Sequence, residues 1–164
     1  MKILIFTEGT VLMPLSMNNL TREERVKLSK IRDSSVHDFK NHIPNQNSVE
    51  KINEWKKQDA EIYYLTSRTT VKEVNEIKNV LQKYNFPHNK NLLFRKMEEE
   101  YKDVTEHLMP DILIEDDCES IGKGEITYTH INPDKQKLIK SIIIKEFSGI
   151  DNLPDNLKEL RSFY

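Results

Sequence analysis

Apolar positions along the chain fall into short β-branched runs separated by longer stretches of helical spacing. Ile3, Leu4, Ile5 and Phe6 form the first run. It is cut off by Glu8, Gly9 and Thr10, which predicts a buried strand over residues 2–6 ending in a tight turn. Thr21 and Glu24 form a capping box that opens a polar helix to about Phe39. Ser48 is placed to cap a helix to about Gln58, with Val49, Ile52 and Trp55 three apart. Residues 60–65 read as a second strand, ended by Thr66, Ser67 and Arg68. A further box at Thr70 and Glu73 opens an amphipathic helix that carries Val71, Val74, Ile77, Val80, Leu81 and Tyr84 on one face and is stopped by Pro87. A short strand at 91–94, a helix from Met97 to Leu108 and a strand at 111–115 follow. Residues 126–131 and 141–147 have the alternation of two more strands, and Pro154 suits the start of a last short helix through Leu160.

Strands alternating with helices predict an α/β domain of three layers, with a mainly parallel sheet covered on both faces. No repeat or low-complexity linker divides the chain, so residues 1–164 read as one domain. In such sheets ligands bind outside the carboxyl ends of the strands. Three strand ends carry polar clusters: Glu8, Gly9 and Thr10; Thr66, Ser67 and Arg68; and Asp116 with Asp117.

Composition narrows the function classes. With 37% hydrophobic and 32% charged residues over 164 positions, the chain suits a globular domain with a heavily charged surface. A net charge of −2 supplies no basic field for nucleic acid, which is therefore not expected as a partner. No apolar stretch approaches the roughly 18 residues that span a bilayer, so no membrane partner is expected either. The single cysteine, Cys118, excludes an intramolecular disulfide and fits a reducing compartment, the cytoplasm. The acids beside it raise its expected pKa, which marks it as structural. The five histidines show no ligand spacing and read as surface positions.

The clusters suggest chemistry around phosphate. Adjacent carboxylates such as Asp116 and Asp117 repel each other unless a cation or hydrogen bonds hold them. A hard cation such as Mg²⁺ prefers oxygen ligands and shares them with water and phosphate. Thr66 and Ser67 offer hydroxyls just before a helix N-terminus, a natural phosphate cradle. Lys102 lies on the helix before the acid pair, where it is able to neutralise phosphate charge. The bland alternatives are a loop cap for the acids, a turn for Thr66, and a solvated lysine at 102. Gly122, Lys123 and Gly124 read as a turn.

Taken in order, these motifs resemble those of the haloacid dehalogenase (HAD) superfamily of phosphohydrolases. The family has an apolar strand ending in Asp-x-Asp-Gly-Thr, a second ending in Ser or Thr, a helical Lys and a later strand ending in paired acids. The counterparts here are the segment from Phe6 to Thr10, Thr66 with Ser67 and Arg68, Lys102, and Asp116 with Asp117. The resemblance implies a HAD-like (Rossmannoid) sheet with at most a small helical cap near residues 18–42. It implies Glu8, Thr66 and Lys102 as catalytic-type residues, Gly9, Thr10, Ser67 and Arg68 as ligand-binding ones, and Asp116 and Asp117 as Mg²⁺ ligands. It also implies a loss. The family's attacking aspartate is replaced by Phe6, and its acid–base aspartate by Glu8, one methylene longer. Loss of a nucleophile costs on the order of 10⁶ in rate. The expectation is a degenerate site that binds a phosphorylated small molecule, Mg²⁺ or both without efficient turnover. The alternatives are an active phosphohydrolase that uses Glu8, and a purely structural module.

Overall fold

The computed structural model describes residues 1–122 and 125–164. Its organising element is β1 (Lys2–Phe6), which lies at the centre of a five-stranded, all-parallel sheet. The other strands are β4 (Glu61–Thr66), β5 (Leu92–Phe94), β6 (Ile112–Asp116) and β7 (Lys140–Ile144), in the order β5-β4-β1-β6-β7. Residue alternation explains why the strands read as continuous apolar runs. Ile3, Ile5, Ile62, Tyr64, Ile112 and Ile114 enter one core with Ile52 and Trp55 of α2 (Ser48–Lys56) and Ile77, Val80 and Leu81 of α3 (Val71–Lys83). Leu157 and Leu160 of the last short helix (Leu157–Ser162) join the same layer. Leu4, Leu65 and Leu113 point the other way, onto Val104 of α4 (Tyr101–Leu108), Ile131 and Ile139. No described helix is long and apolar enough to cross a membrane.

The register brings the functional ends together. Ile5 pairs with Tyr64 and Ile114, and Phe6 with Leu65. Thr7, Thr66 and Asp116 therefore finish at one edge. The chain runs outward through β4 and β5 and then crosses to β6 on the other side of β1. The crevice at that reversal is where open parallel sheets bind ligands.

A small third cluster of Met13, Met17, Val26 and Phe147 sits over this edge. It is built by an antiparallel hairpin of β2 (Leu12–Pro14) and β3 (His42–Pro44), with α1 (Arg22–Lys30) inserted between its strands. Arg25 Nε donates to the Met17 carbonyl at 3.1 Å, and Arg22 pairs with Glu119 at 2.8 Å. These contacts pin α1 above the loop that follows β6.

Several sequence expectations are corrected. The helix capped by Thr21 stops at Lys30 rather than Phe39. Arg32 turns into the left-handed region at φ 52°, and Asp33 then caps a separate short 3₁₀ turn through Ser35. Asp and Ser prefer such local bonds to a helix interior. Asn47, not Ser48, is the cap residue of α2; the Ser48 hydroxyl instead donates to the Val11 carbonyl at 3.0 Å. The helix expected from Met97 begins at Tyr101, capped by Glu100. Residues 127–130 form a 3₁₀ turn, not a strand, because Glu115 takes the backbone N–H groups of Thr127 and Tyr128 at 2.7 and 3.0 Å. β7 ends at Ile144, three residues before Phe147. The hairpin went unforeseen because its strands are three residues each. The turn expected at 122–124 lies outside the described residues, except for Gly122.

Trp55 is fully buried, and its Nε1 donates to the Pro154 carbonyl at 2.9 Å, joining α2 to the C-terminal segment. Trp55→Ala should lower unfolding stability by about 3–5 kcal/mol, read from urea denaturation followed by circular dichroism. A loss under 1 kcal/mol would mean this layer does not hold the sheet as described.

Candidate functional site

The site begins where β1 stops. Val11 and Leu12 donate their N–H groups to the Thr7 carbonyl at 3.0 and 2.8 Å, closing a tight turn around Gly9. Gly9 has φ 81°, and a β-carbon there would stand 2.7 Å from Asp116 Oδ2. Both the backbone angle and the close approach require glycine. Thr10 Oγ1 donates to the same Oδ2 at 3.1 Å, and the Phe147 N–H donates to the Gly9 carbonyl at 2.7 Å. The tips of β1 and β6 and the segment after β7 are thus locked together.

Glu8 faces β4. Thr66 Oγ1 donates to its Oε1 at 2.7 Å, Arg68 Nε lies 3.3 Å from the same oxygen, and the Ser67 N–H is 3.4 Å from Oε2. Thr7 Oγ1 also contacts Oε2. The Arg68 guanidinium in turn lies 4.5 Å over the Phe39 ring, and both Arg68 nitrogens near Ser67 use its hydroxyl. Phe6 turns its ring onto Tyr101 in an edge-to-face contact, centroids 5.3 Å apart, a favoured aromatic geometry.

Across the crevice three carboxylates are buried: Glu115, Asp116 and Glu146. Asp116 takes the Cys118 N–H on Oδ1 at 2.9 Å and Thr10 on Oδ2. Burial outweighs these bonds and pushes its carboxyl up to about 6. Glu146 accepts the N–H and hydroxyl of Ser120, both at 2.7 Å, and burial also raises it above the usual range, as it does Glu115. The half-buried Cys118 thiol is raised chiefly by burial and next by Asp116. Asp117 faces away: Oδ1 accepts the Glu146 N–H at 3.0 Å and Oδ2 pairs with Lys145 at 3.1 Å.

Between these walls lies a cavity of about 380 Å³. Phe6, Phe39, Tyr101 and Phe147 give it an aromatic lining; Glu8, Gly9, Ser67, Arg68 and Asp116 supply its polar face. Of the residues singled out from sequence, these last five and Phe6 reach the cavity. Thr10 and Thr66 sit behind it, holding Asp116 and Glu8. Two are not brought in: Asp117, and Lys102, which pairs with Glu100 at 2.7 Å beside a separate cavity. Reasoning from sequence missed Glu115, Glu146 and His42. Glu146 follows β7 without a motif, so only the topology reveals it. His42 corrects the surface reading of the histidines. It is 2% exposed and lines the cavity, its Nδ1 lies 3.1 Å from the Asp38 carbonyl, and burial lowers its pKa.

No family model matches the chain, and no curated protein matches it either. Solved structures do share its shape. A class C acid phosphatase from Bacillus anthracis superposes with a TM-score of 0.58 at 13% identity, over 98% of this chain and 77% of that one. The same phosphatase with tungstate bound gives 0.56 at 14% identity, over 90% and 68%. A HAD hydrolase of family IA, variant 3, from Entamoeba histolytica HM-1:IMSS gives 0.53 at 11%, over 98% and 97%. The fold is HAD-like.

A HAD-like fold raises the question of Mg²⁺. Among the described residues no three His, Cys, Asp or Glu side chains gather as a metal cage. Mg²⁺ seldom needs one, since it takes one or two carboxylates and completes its shell with water and phosphate. Asp116 has the right chemistry for such a site. Each of its oxygens receives one protein donor and keeps a further acceptor position, and Gly9 leaves the space before Oδ2 clear of a β-carbon. The residues present fit a one-carboxylate site at Asp116; Asp117 does not take part.

A carboxyl raised in the folded state binds its proton more tightly there than in the unfolded chain. Its favourable contribution is present below about pH 4 and is lost as pH rises through about 6. Glu115 and Glu146 act in the same direction; Asp117, which is lowered, opposes them. In EDTA, the stability of Asp116→Asn relative to the native chain should therefore rise by up to roughly 3 kcal/mol between pH 4 and 7. A pH-independent difference in urea denaturation would contradict the burial of this carboxyl.

Proposed function

We propose that this protein binds a phosphorylated small molecule together with Mg²⁺ in the cavity at the β1 and β6 tips, without efficient turnover. The observation that carries this reading is the strand tip itself. By the HAD resemblance Phe6 occupies the place of the attacking carboxylate, and its ring is packed on Tyr101. A benzyl group neither attacks phosphorus nor ligates a metal. Glu8, the remaining carboxylate of that motif, is engaged by Thr66 and Arg68, which speaks against its use as a substitute nucleophile.

Electrostatics explains why ligand and cation belong together. Among the described residues, Glu8, Glu115, Asp116, Glu125 and Glu146 outnumber Arg32 and Arg68 around the cavity. A phosphate entering alone meets like charge. Asp116 would hold Mg²⁺, which would supply the positive charge that offsets this repulsion. Ser67 and Arg68 then present a hydroxyl and a guanidinium to the anion, and the aromatic lining suits an apolar body attached to the phosphate. The tungstate-bound acid phosphatase of like fold supports an oxyanion in this cavity. A reducing cytoplasmic setting, with neither nucleic acid nor membrane as partner, is part of the same reading.

In thermal-shift measurements Mg²⁺ plus inorganic phosphate should raise Tm, while phosphate alone should not. At a hundred times Kd the stabilisation is about 2.7 kcal/mol. The native chain should release no phosphate from an aryl phosphate. Turnover should appear only in Phe6→Asp, which returns a carboxylate to the strand tip. Native turnover that is abolished by Asp116→Asn would replace this reading with that of an active phosphohydrolase.

A further inference from the structure

A second cavity, of about 250 Å³, borders the first, and Tyr101 and Glu125 line both. Its prominent cation is Arg95, the residue immediately after β5. Phe94 pairs with Thr66 in the sheet, so Arg95 emerges at the same edge as the proposed phosphate site. Its guanidinium carbon lies 4.0 Å over the Tyr101 ring. Stacking fixes the plane of the fork but satisfies none of its N–H groups.

Among the described residues Arg95 has no acceptor for its buried Nε and no ion-pair partner within 4.0 Å. Lys102, on the same cavity, is already neutralised by Glu100 at 2.7 Å. A buried donor on a charged group is costly when unsatisfied. Such a group is completed in most structures by an ordered water, an ion or a ligand. The planar fork matches the oxygens of a phosphate group better than any neutral partner.

We infer that Arg95 completes a second anion subsite, so that the ligand carries two phosphate groups on one apolar or aromatic body lying along Tyr101. This rests on the reading that the main cavity takes a phosphorylated molecule, and it narrows that ligand to a bisphosphorylated class. Phe6 at the main cavity and Arg95 at the side cavity both contact the one Tyr101 ring, at 5.3 and 4.0 Å from its centroid, so a single nucleoside or sugar with two phosphates is the class of ligand that the inference names. Lys102 stands ready to exchange Glu100 for the incoming anion.

Isothermal titration in Mg²⁺ with inorganic phosphate, adenosine 5′-monophosphate and adenosine 3′,5′-bisphosphate tests this. The bisphosphate should bind about ten- to a hundredfold more tightly than the monophosphate. In Arg95→Gln that ratio should fall to near one, and Arg95→Lys should restore part of it. If Arg95→Gln does not fold, Lys102→Gln serves instead and should reduce the ratio several-fold; an undiminished ratio there overturns the subsite. Equal binding of the two nucleotides by the native chain overturns the second subsite and leaves the first standing. Binding of inorganic phosphate without either nucleotide does the same. Failure of all three probes overturns the functional reading itself and this inference with it.

Discussion

The close approach of the Gly9 turn to Asp116 is the constraint on which the site depends. A parallel sheet places the ends of β1 and β6 side by side, but register alone does not make a pocket. The turn after β1 must fold back so tightly that a β-carbon on Gly9 would stand only 2.7 Å from Asp116 Oδ2. Once it does, Thr10 and the Cys118 N–H hold the carboxylate, and the Phe147 N–H secures the turn from the other side. Everything placed above the sheet edge follows from that knot, including the lid formed by α1 and the β2–β3 hairpin.

The two walls of the crevice solve their charge problems differently. On the β4 side Glu8 is compensated directly, by Thr66 and Arg68. On the β6 side Glu115, Asp116 and Glu146 are compensated mainly by N–H groups and hydroxyls, and burial still raises all three. Bonds to neutral donors offset only part of the cost of desolvating a carboxylate. A cation near Asp116 would relieve the rest. The proposed dependence of phosphate binding on Mg²⁺ rests on that imbalance.

Much of this was legible in the sequence. β1, β4 and β6 announce themselves because each is an apolar run with an abrupt polar end, and the parallel pattern dictates that such ends meet. Gly9 was legible because a glycine at a strand end signals close backbone approach. What stayed hidden depends on contacts distant in sequence. Residues 126–131 alternate like a strand, yet Glu115 takes their N–H groups and winds them into a turn. Asp117 sits in an acid pair that looks like a ligand set, yet Lys145 and the Glu146 backbone draw it away. Glu146 and the buried His42 belong to no motif. They enter the site because the segment after β7 and the first residue of β3 are folded over it.

The most direct test is a crystal structure of the native protein grown with Mg²⁺ and phosphate. The account predicts a cation held by Asp116 and a phosphate facing Ser67 and Arg68. A cavity without ion or phosphate, at concentrations where binding is measured in solution, would contradict it.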